Sequence, residues 1–182
     1  MIKKSERLKR TVLRKSNILT YCVDTVKLPD GNIAEYDVML HNGGVAIIAI
    51  TDEGKMVMVR QYRHAFDRIT LEVPAGKRDG DEEFLTAAER ELREEGGYLC
   101  DMIEHFMTIN TAIAYCDEVI EVYLATGLKK TDQDLDPDEF VEVCEMDPDE
   151  LAEMVYRCEI KDSKTVAAIM AYKVYRDKKQ LL

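Results

Sequence analysis

The sequence predicts an α/β (α+β) protein: a mixed sheet covered by helices on both faces, preceded by a small antiparallel β meander. Two observations carry this. Segments rich in β-branched and aromatic residues alternate with three helical stretches along the 182 residues. The first forty or so positions instead carry extended patterns around a Pro29-Asp30-Gly31 turn, with no helical period.

Within residues 7–41 the extended pattern is clearest over 19–27 and 33–40, and Gly43-Gly44 then punctuates the chain. Residues 45–50 (VAIIAI) form a purely aliphatic strand. Residues 55–62 (KMVMVRQY) are expected to pair with it as a hairpin across the Asp52-Glu53-Gly54 turn. Leu71-Glu72-Val73 is a short strand closed by Pro74. A helix starts near Asp81 or Glu82 and stops at Gly96-Gly97, since glycine past a helix end accepts the left-handed conformation there. Strands follow over 102–108 and 119–125, then an acidic loop over 129–138 and a last strand over 140–145. Asp147-Pro148-Asp149 caps a short helix to Tyr156. The final helix, 163–178, sets Val166, Ile169, Met170, Lys173 and Val174 on one packing face.

Charge narrows the function. The net charge is −11, and residues 1–15 alone contribute +6, leaving −17 on the body. An acidic body argues against nucleic acid as partner, because phosphate backbones need a basic surface. Residues 45–50 are the longest aliphatic run, far too short to cross a membrane. Asn17, Thr20, Asp24 and Lys27 interrupt any export signal after the basic arm, so a cytoplasmic protein is expected. Five scattered cysteines without a CxxC pair read as reduced thiols. His41, His64 and His105 have no ligand spacing with them, which argues against a zinc site.

The strongest signal is the stretch from Gly76 to Tyr98, GKRDGDEEFLTAAERELREEGGY. It sets Gly76, Glu82, Arg90-Glu91, Leu92, Glu94-Glu95, Gly97 and Tyr98 in the order G-x5-E-x7-R-E-U-x-E-E-x-G-U, with U a bulky apolar residue. Glu91, Glu94 and Glu95 stand at i, i+3 and i+4, so their carboxylates leave one face of one helix. Three such charges repel unless they are solvated or share a cation. Hard oxygen ligands at this density suit Mg2+, with Mn2+ as the alternative.

This pattern resembles the signature of the Nudix hydrolases, which cleave nucleoside diphosphates linked to another moiety. Further segments resemble the branch containing ADP-ribose pyrophosphatases. They are Val59-Arg60-Gln61-Tyr62-Arg63, Leu71 through Lys77 (LEVPAGK), Asp117-Glu118 and Ile160 through Thr165 (IKDSKT). The resemblance implies an α/β/α sandwich over residues 43–182, with residues 1–42 as a β-strand dimerisation region. It also implies a homodimer whose exchanged N-terminal strands complete the partner's site. Two stretches depart from the branch: Tyr36-Asp37 with His41-Asn42-Gly43, and residues 111–116 (TAIAYC). Both belong to substrate recognition, so the reaction class is better defined than the substrate.

Carried over residue by residue, the resemblance puts the metal on Glu91 and Glu95, with the Ala75 carbonyl and Glu94 joining the shell. Arg90 would pair with a neighbouring carboxylate and hold the helix in register. Gly76 is counted with the substrate-binding residues. Arg63 is the candidate phosphate clamp, because guanidinium binds phosphate oxygens bidentately. Glu118 would hold a ribose hydroxyl and Tyr36 would stack on a base from across the dimer. A general base is required, since neutral water is a poor nucleophile. The acidic loop offers Asp136, Asp138 and Glu139, of which Glu139, next to Phe140, is preferred. The expected reaction is metal-dependent hydrolysis of a nucleotide sugar, with ADP-ribose leading over GDP-mannose or UDP-glucose. A non-catalytic ligand sensor on the same fold is the alternative of another class.

Overall fold

The computed structural model describes residues 1–137 and 139–180. They divide into two compact units.

The first unit comprises Met1–Gly43 and Asn110–Val119. Its core is a three-stranded antiparallel sheet of β1 (Glu6–Lys15), β2 (Leu19–Lys27) and β3 (Ile33–His41), in that order. The β2–β3 turn closes where expected: the Asn32 amide donates to Asp30 Oδ1 at 3.0 Å, and Gly31 takes φ 93°. Alternation along β2 buries Cys22, Asp24 and Val26 on one face. The buried Asp24 is held by two hydrogen bonds of 2.6 Å from Nε and Nη2 of Arg10, its neighbour across the β1–β2 ladder. The 110–119 segment attaches to β3, with Met39 N–H donating to Tyr115 O at 2.7 Å and Asp117 N–H donating to Met39 O at 3.1 Å.

The second unit comprises Gly44–Ile109 and Ile120–Leu182. Its strands are β4 (Gly44–Ala49), β5 (Met56–Arg63), β6 (Arg68–Glu72), β7 (Ala75–Lys77), β8 (Tyr98–Asn110), β9 (Val119–Lys130) and β10 (Val141–Met146). The helices are α1 (Phe84–Glu94), α2 (Pro148–Tyr156) and α3 (Ser163–Gln180). One sheet is mixed, in the order β7-β4-β9-β8, with β4 parallel to β9 and antiparallel to β7. The other is antiparallel, in the order β10-β5-β6.

Here one expectation is overturned. β4 and β5 are not a hairpin: they lie in different sheets, joined across the turn by the Ile50–Met56 bridge and the Thr51 N–H bond to Lys55 O. Composition explains it. Every residue of β4 and the first four of β5 are buried, so each strand is covered on both faces and occupies the middle of its own sheet.

The two faces of β4 build two cores. Ala46 and Ile48, with Ile50, Met56 and Met58, pack with Leu151 of α2 and Ile169 of α3. Val45, Ile47 and Ala49, with Val57, pack with Ala87, Ala88 and Leu92 of α1. Helices thus cover both faces, as in an α/β/α sandwich.

Helix ends follow local chemistry. α1 begins at Phe84, later than expected, because Glu82 is occupied in the preceding turn, where its Oε2 accepts the Asp79 amide at 3.2 Å. It ends as glycine dictates: Gly97, at φ 67°, donates to Arg93 O at 3.0 Å. Asp147 caps α2 through the Asp149 amide at 2.9 Å, and Asp162 caps α3 through the Thr165 amide at 3.0 Å. The strand before the acidic loop continues to Lys130. All five cysteines are free.

Candidate active site

The site is assembled where β7 passes under the C-terminal half of α1. Gly76 permits that approach: an added Cβ would sit 1.9 Å from Oε1 of Glu91. The Glu91 carboxylate therefore lies directly on the β7 backbone and is 8% exposed. Burial pushes its pKa up to about 7 against the pull of Arg90, and the nearby Glu95 and Glu94 charges add to the rise.

Glu95, one residue past α1, is 4% exposed. Its Oε2 accepts the Ala75 amide at 2.9 Å and its Oε1 accepts from Gln61 Nε2 at 3.3 Å. Burial raises its pKa too, opposed by the Ala75 amide and reinforced by the charge of Glu139.

Arg90 organises the remainder. Its Nε and Nη2 reach the two oxygens of Glu82 at 3.0 and 2.9 Å, and Nη2 also reaches Lys77 O at 3.1 Å. Its Nη1 reaches Glu91 at 2.8 Å and Glu94 at 2.7 Å. One guanidinium thus ties the loop after β7 to the helix face. Glu94 is held on this flank, and no cluster of three acidic or other metal-ligating side chains forms among the described residues.

A second network lies behind Glu95. Arg63 grips Glu72 through Nε and Nη2 at 2.7 and 2.6 Å, and Glu72 is 2% exposed. Lys164 and Thr70 also donate to Glu72. Burial alone would raise the Glu72 pKa, yet Arg63, Lys164 and Thr70 hold it down to about 2. One edge of the Arg63 guanidinium, Nε with Nη2, is therefore committed within the protein.

Glu139 stands on the loop before β10, where its Oε2 accepts the Asp136 amide at 3.2 Å. It lines a cavity of about 780 Å³ together with Gln61, Tyr62, Leu135 and Phe140. Asp136 is exposed, and Asp138 lies outside the described residues. Tyr36 and Glu118 belong to the first unit. Tyr36 is half-exposed on β3, and Glu118 accepts from Thr111 Oγ1 at 2.6 Å and lies 3.4 Å from His41 Nδ1.

The structure therefore gathers Ala75, Gly76, Arg90, Glu91, Glu94 and Glu95 around one helix, with Glu139 within electrostatic reach of Glu95. Gln61, Glu72, Glu82 and Lys164 join them; each lies in a motif segment of the sequence, but none was given a role in the site.

The donors fit a hard divalent cation. Glu91 and Glu95 are buried carboxylates whose pKa values burial raises, and every candidate ligand atom is oxygen.

A family model described as NUDIX domain matches residues 40–169. The chain belongs to the Nudix family. Its relatives include the methanol dehydrogenase activator of Bacillus methanolicus, 42% identical over 149 residues, covering 81% of this chain and 80% of that one. The ADP-ribose pyrophosphatase of Bacillus subtilis is 38% identical, covering 84% and 83%. That of Mycobacterium tuberculosis is 39% identical, covering 81% and 73%. A crystal structure of an ADP compounds hydrolase superposes with a TM-score of 0.84 at 21% identity, covering 98% of this chain and 97% of that one. This Nudix hydrolase thus shares the whole fold with that structure. Among the described residues no helix is long and apolar enough to cross a membrane.

Proposed function

We propose that this Nudix hydrolase cleaves the pyrophosphate of a nucleoside diphosphate sugar, with ADP-ribose, split to AMP and ribose 5-phosphate, as the leading substrate. The observation that carries the reading is the buried Glu91–Glu95 pair seated against the Ala75–Gly76 backbone, with the charge of Glu139 acting on Glu95. The ADP-ribose pyrophosphatases of B. subtilis and M. tuberculosis support the choice of substrate.

In this reading Glu91 and Glu95 hold Mg2+, or Mn2+, with the Ala75 carbonyl, and Glu94 joins once released from Arg90. When bound, the cation supplies charge neutralisation at the pyrophosphate oxygens and makes water more acidic. Arg90 keeps α1 in register with the loop after β7. Glu139 takes the proton of the attacking water as its oxygen bonds to phosphorus and the bridging P–O bond breaks. Arg63, anchored on Glu72, presents its remaining Nη1 edge to a substrate phosphate. Gly76 keeps the loop beside the substrate low, Glu118 takes a ribose hydroxyl and Tyr36 stacks on the base. Tyr36 does so from across the interface of a homodimer with exchanged N-terminal strands. The exposed Leu8, Val12, Leu13 and Ile33 of that sheet support such an interface.

A second reading is favoured by the 42% identity to the methanol dehydrogenase activator: action on a dehydrogenase, with the same hydrolytic site. The test is a panel of ADP-ribose, GDP-mannose and UDP-glucose with Mg2+, products separated by chromatography, plus an arm adding a methanol dehydrogenase. Release of AMP from ADP-ribose in preference to cleavage of the others supports the first reading. No cleavage of any nucleotide sugar overturns it, and turnover stimulated only in the dehydrogenase arm supports the second.

A further inference from the structure

Arg68 and Lys161 face one cavity without a carboxylate partner. The cavity, about 590 Å³, lies in the second unit between the β5–β6 connection and the start of α3. Its lining carries four cations, Arg63, Arg68, Lys161 and Lys164, against two carboxylates, Glu72 and Asp162. Arg63 and Lys164 are occupied by those carboxylates. Arg68 rests over the Phe66 ring at 5.4 Å but takes no hydrogen bond or ion pair among the described residues, and neither does Lys161. On a chain of net charge −11, such a local excess of positive charge is unusual and draws anions.

The backbone adds to it. α3 is 18 residues long and starts at Ser163. Asp162 caps the Thr165 amide, while the amides of Ser163 and Lys164 take no protein partner among the described residues. They are the first two of the helix and point from its positive end. Two exposed cations, two backbone donors and the Phe66 ring thus line one volume, with room for a phosphorylated sugar.

We propose that this cavity is a phosphomonoester site, bordering the pyrophosphate site at Arg63, in which Arg68, Lys161 and the α3 amides take a phosphate dianion. That phosphate comes either from a substrate carrying an additional phosphate or from a free sugar phosphate such as a hydrolysis product. A single carboxylate would use only part of the donor set. The site's existence does not depend on the hydrolytic reading; its coupling to turnover does.

Two arms test it on the full chain. In the first, the protein is stripped of divalent metal with EDTA, and binding of ribose 5-phosphate, inorganic phosphate and ribose is measured by calorimetry at low salt. Wild type should bind ribose 5-phosphate and fail to bind ribose. Arg68→Ala and Lys161→Ala should each weaken it about tenfold, the loss expected for one charge-assisted hydrogen bond. Arg68→Lys should restore part of it, and unchanged circular dichroism should show that these exposed substitutions leave the fold intact. Ribose 5-phosphate binding no better than ribose, or equally well to both alanine variants, would overturn the proposal.

The second arm compares ADP-ribose with ADP-ribose phosphorylated on a ribose hydroxyl. If the double variant raises KM for the phosphorylated substrate alone, the phosphate is substrate-borne. If it changes only inhibition by ribose 5-phosphate, the ligand is the free ester. Absence of turnover on either substrate, with ribose 5-phosphate binding retained, would defeat the hydrolytic reading and leave this site standing.

Discussion

The Glu91 carboxylate occupies the space that a side chain on residue 76 would need. Both of its oxygens lie within 2.4 Å of an ideal Cβ placed on Gly76. The backbone of Gly76 is not in the left-handed region, so space rather than φ demands glycine. Gly76→Ala should fold, because the far end of a glutamate can move, but Glu91 would leave its position. We expect a loss in kcat/KM of about 10²-fold, as displacement of a reacting group by an ångström can produce. Near-native activity with Glu91 still seated would contradict this account of the loop.

Glu95→Gln tests the metal assignment. The amide keeps the shape and can still accept from the Ala75 N–H. The fold should survive while kcat falls by about two orders of magnitude or more, in keeping with loss of a metal-stabilised transition state. Full activity at saturating Mg2+ would remove Glu95 from the metal shell.

Glu139→Gln addresses the base. kcat should fall about 10²-fold or more with metal and substrate affinity little changed, because the proton transfer belongs to the transition state. Asp136→Asn is the structural comparison, since Asp136 meets Glu139 through its amide, which the substitution keeps. A larger loss from Asp136→Asn than from Glu139→Gln would move the base along the loop.

Glu72 gives a pH dependence whose sign is fixed. Its folded pKa, about 2, lies below the unfolded value of 4.5. Its contribution is therefore present in full above about pH 4.5 and lost as pH falls toward 2. For a shift of that size on a buried group the loss is on the order of 3 kcal/mol. Denaturant unfolding at a series of acidic pH values should show this slope. Glu72→Gln should flatten it and lower stability at neutral pH, because Arg63 and Lys164 lose their common partner. An unchanged slope in that variant would assign the acid sensitivity elsewhere.

The quaternary reading is also measurable. Sedimentation at low micromolar concentration should give about twice the 20.9 kDa chain mass. Removal of residues 1–41 should yield monomer or aggregate and weaken substrate binding. A fully active full-length monomer would confine recognition to one chain.

Local chemistry made part of this molecule legible in the sequence. Gly96-Gly97 ended α1, Asp147 capped α2 and the residue pattern of β2 and β3 marked their extent, because each depends on neighbours a few positions away. The proposed β4–β5 hairpin failed because a turn motif between two apolar runs says nothing about which sheet each run will enter. Two-sided burial decided that, and it is a property of the assembled core. The site divides the same way. Arg90, Glu91, Glu94 and Glu95 share a helical period, whereas Glu72 and Lys164 are 92 positions apart and meet only after β6 and α3 have been placed.

Glu95 touches two sheets at once. Ala75 belongs to the four-stranded sheet and Gln61 to the three-stranded one, yet both donate to this single carboxylate. The side chain thus serves as a gauge of inter-sheet alignment. A small slide between the sheets leaves every ladder intact but stretches one of these two bonds and turns a carboxylate oxygen away from the proposed metal site. On warming, metal affinity should accordingly fade while strand and helix signals are still native. The enzyme's working temperature would then be set by how firmly two sheets stay in step, and not by when either one melts.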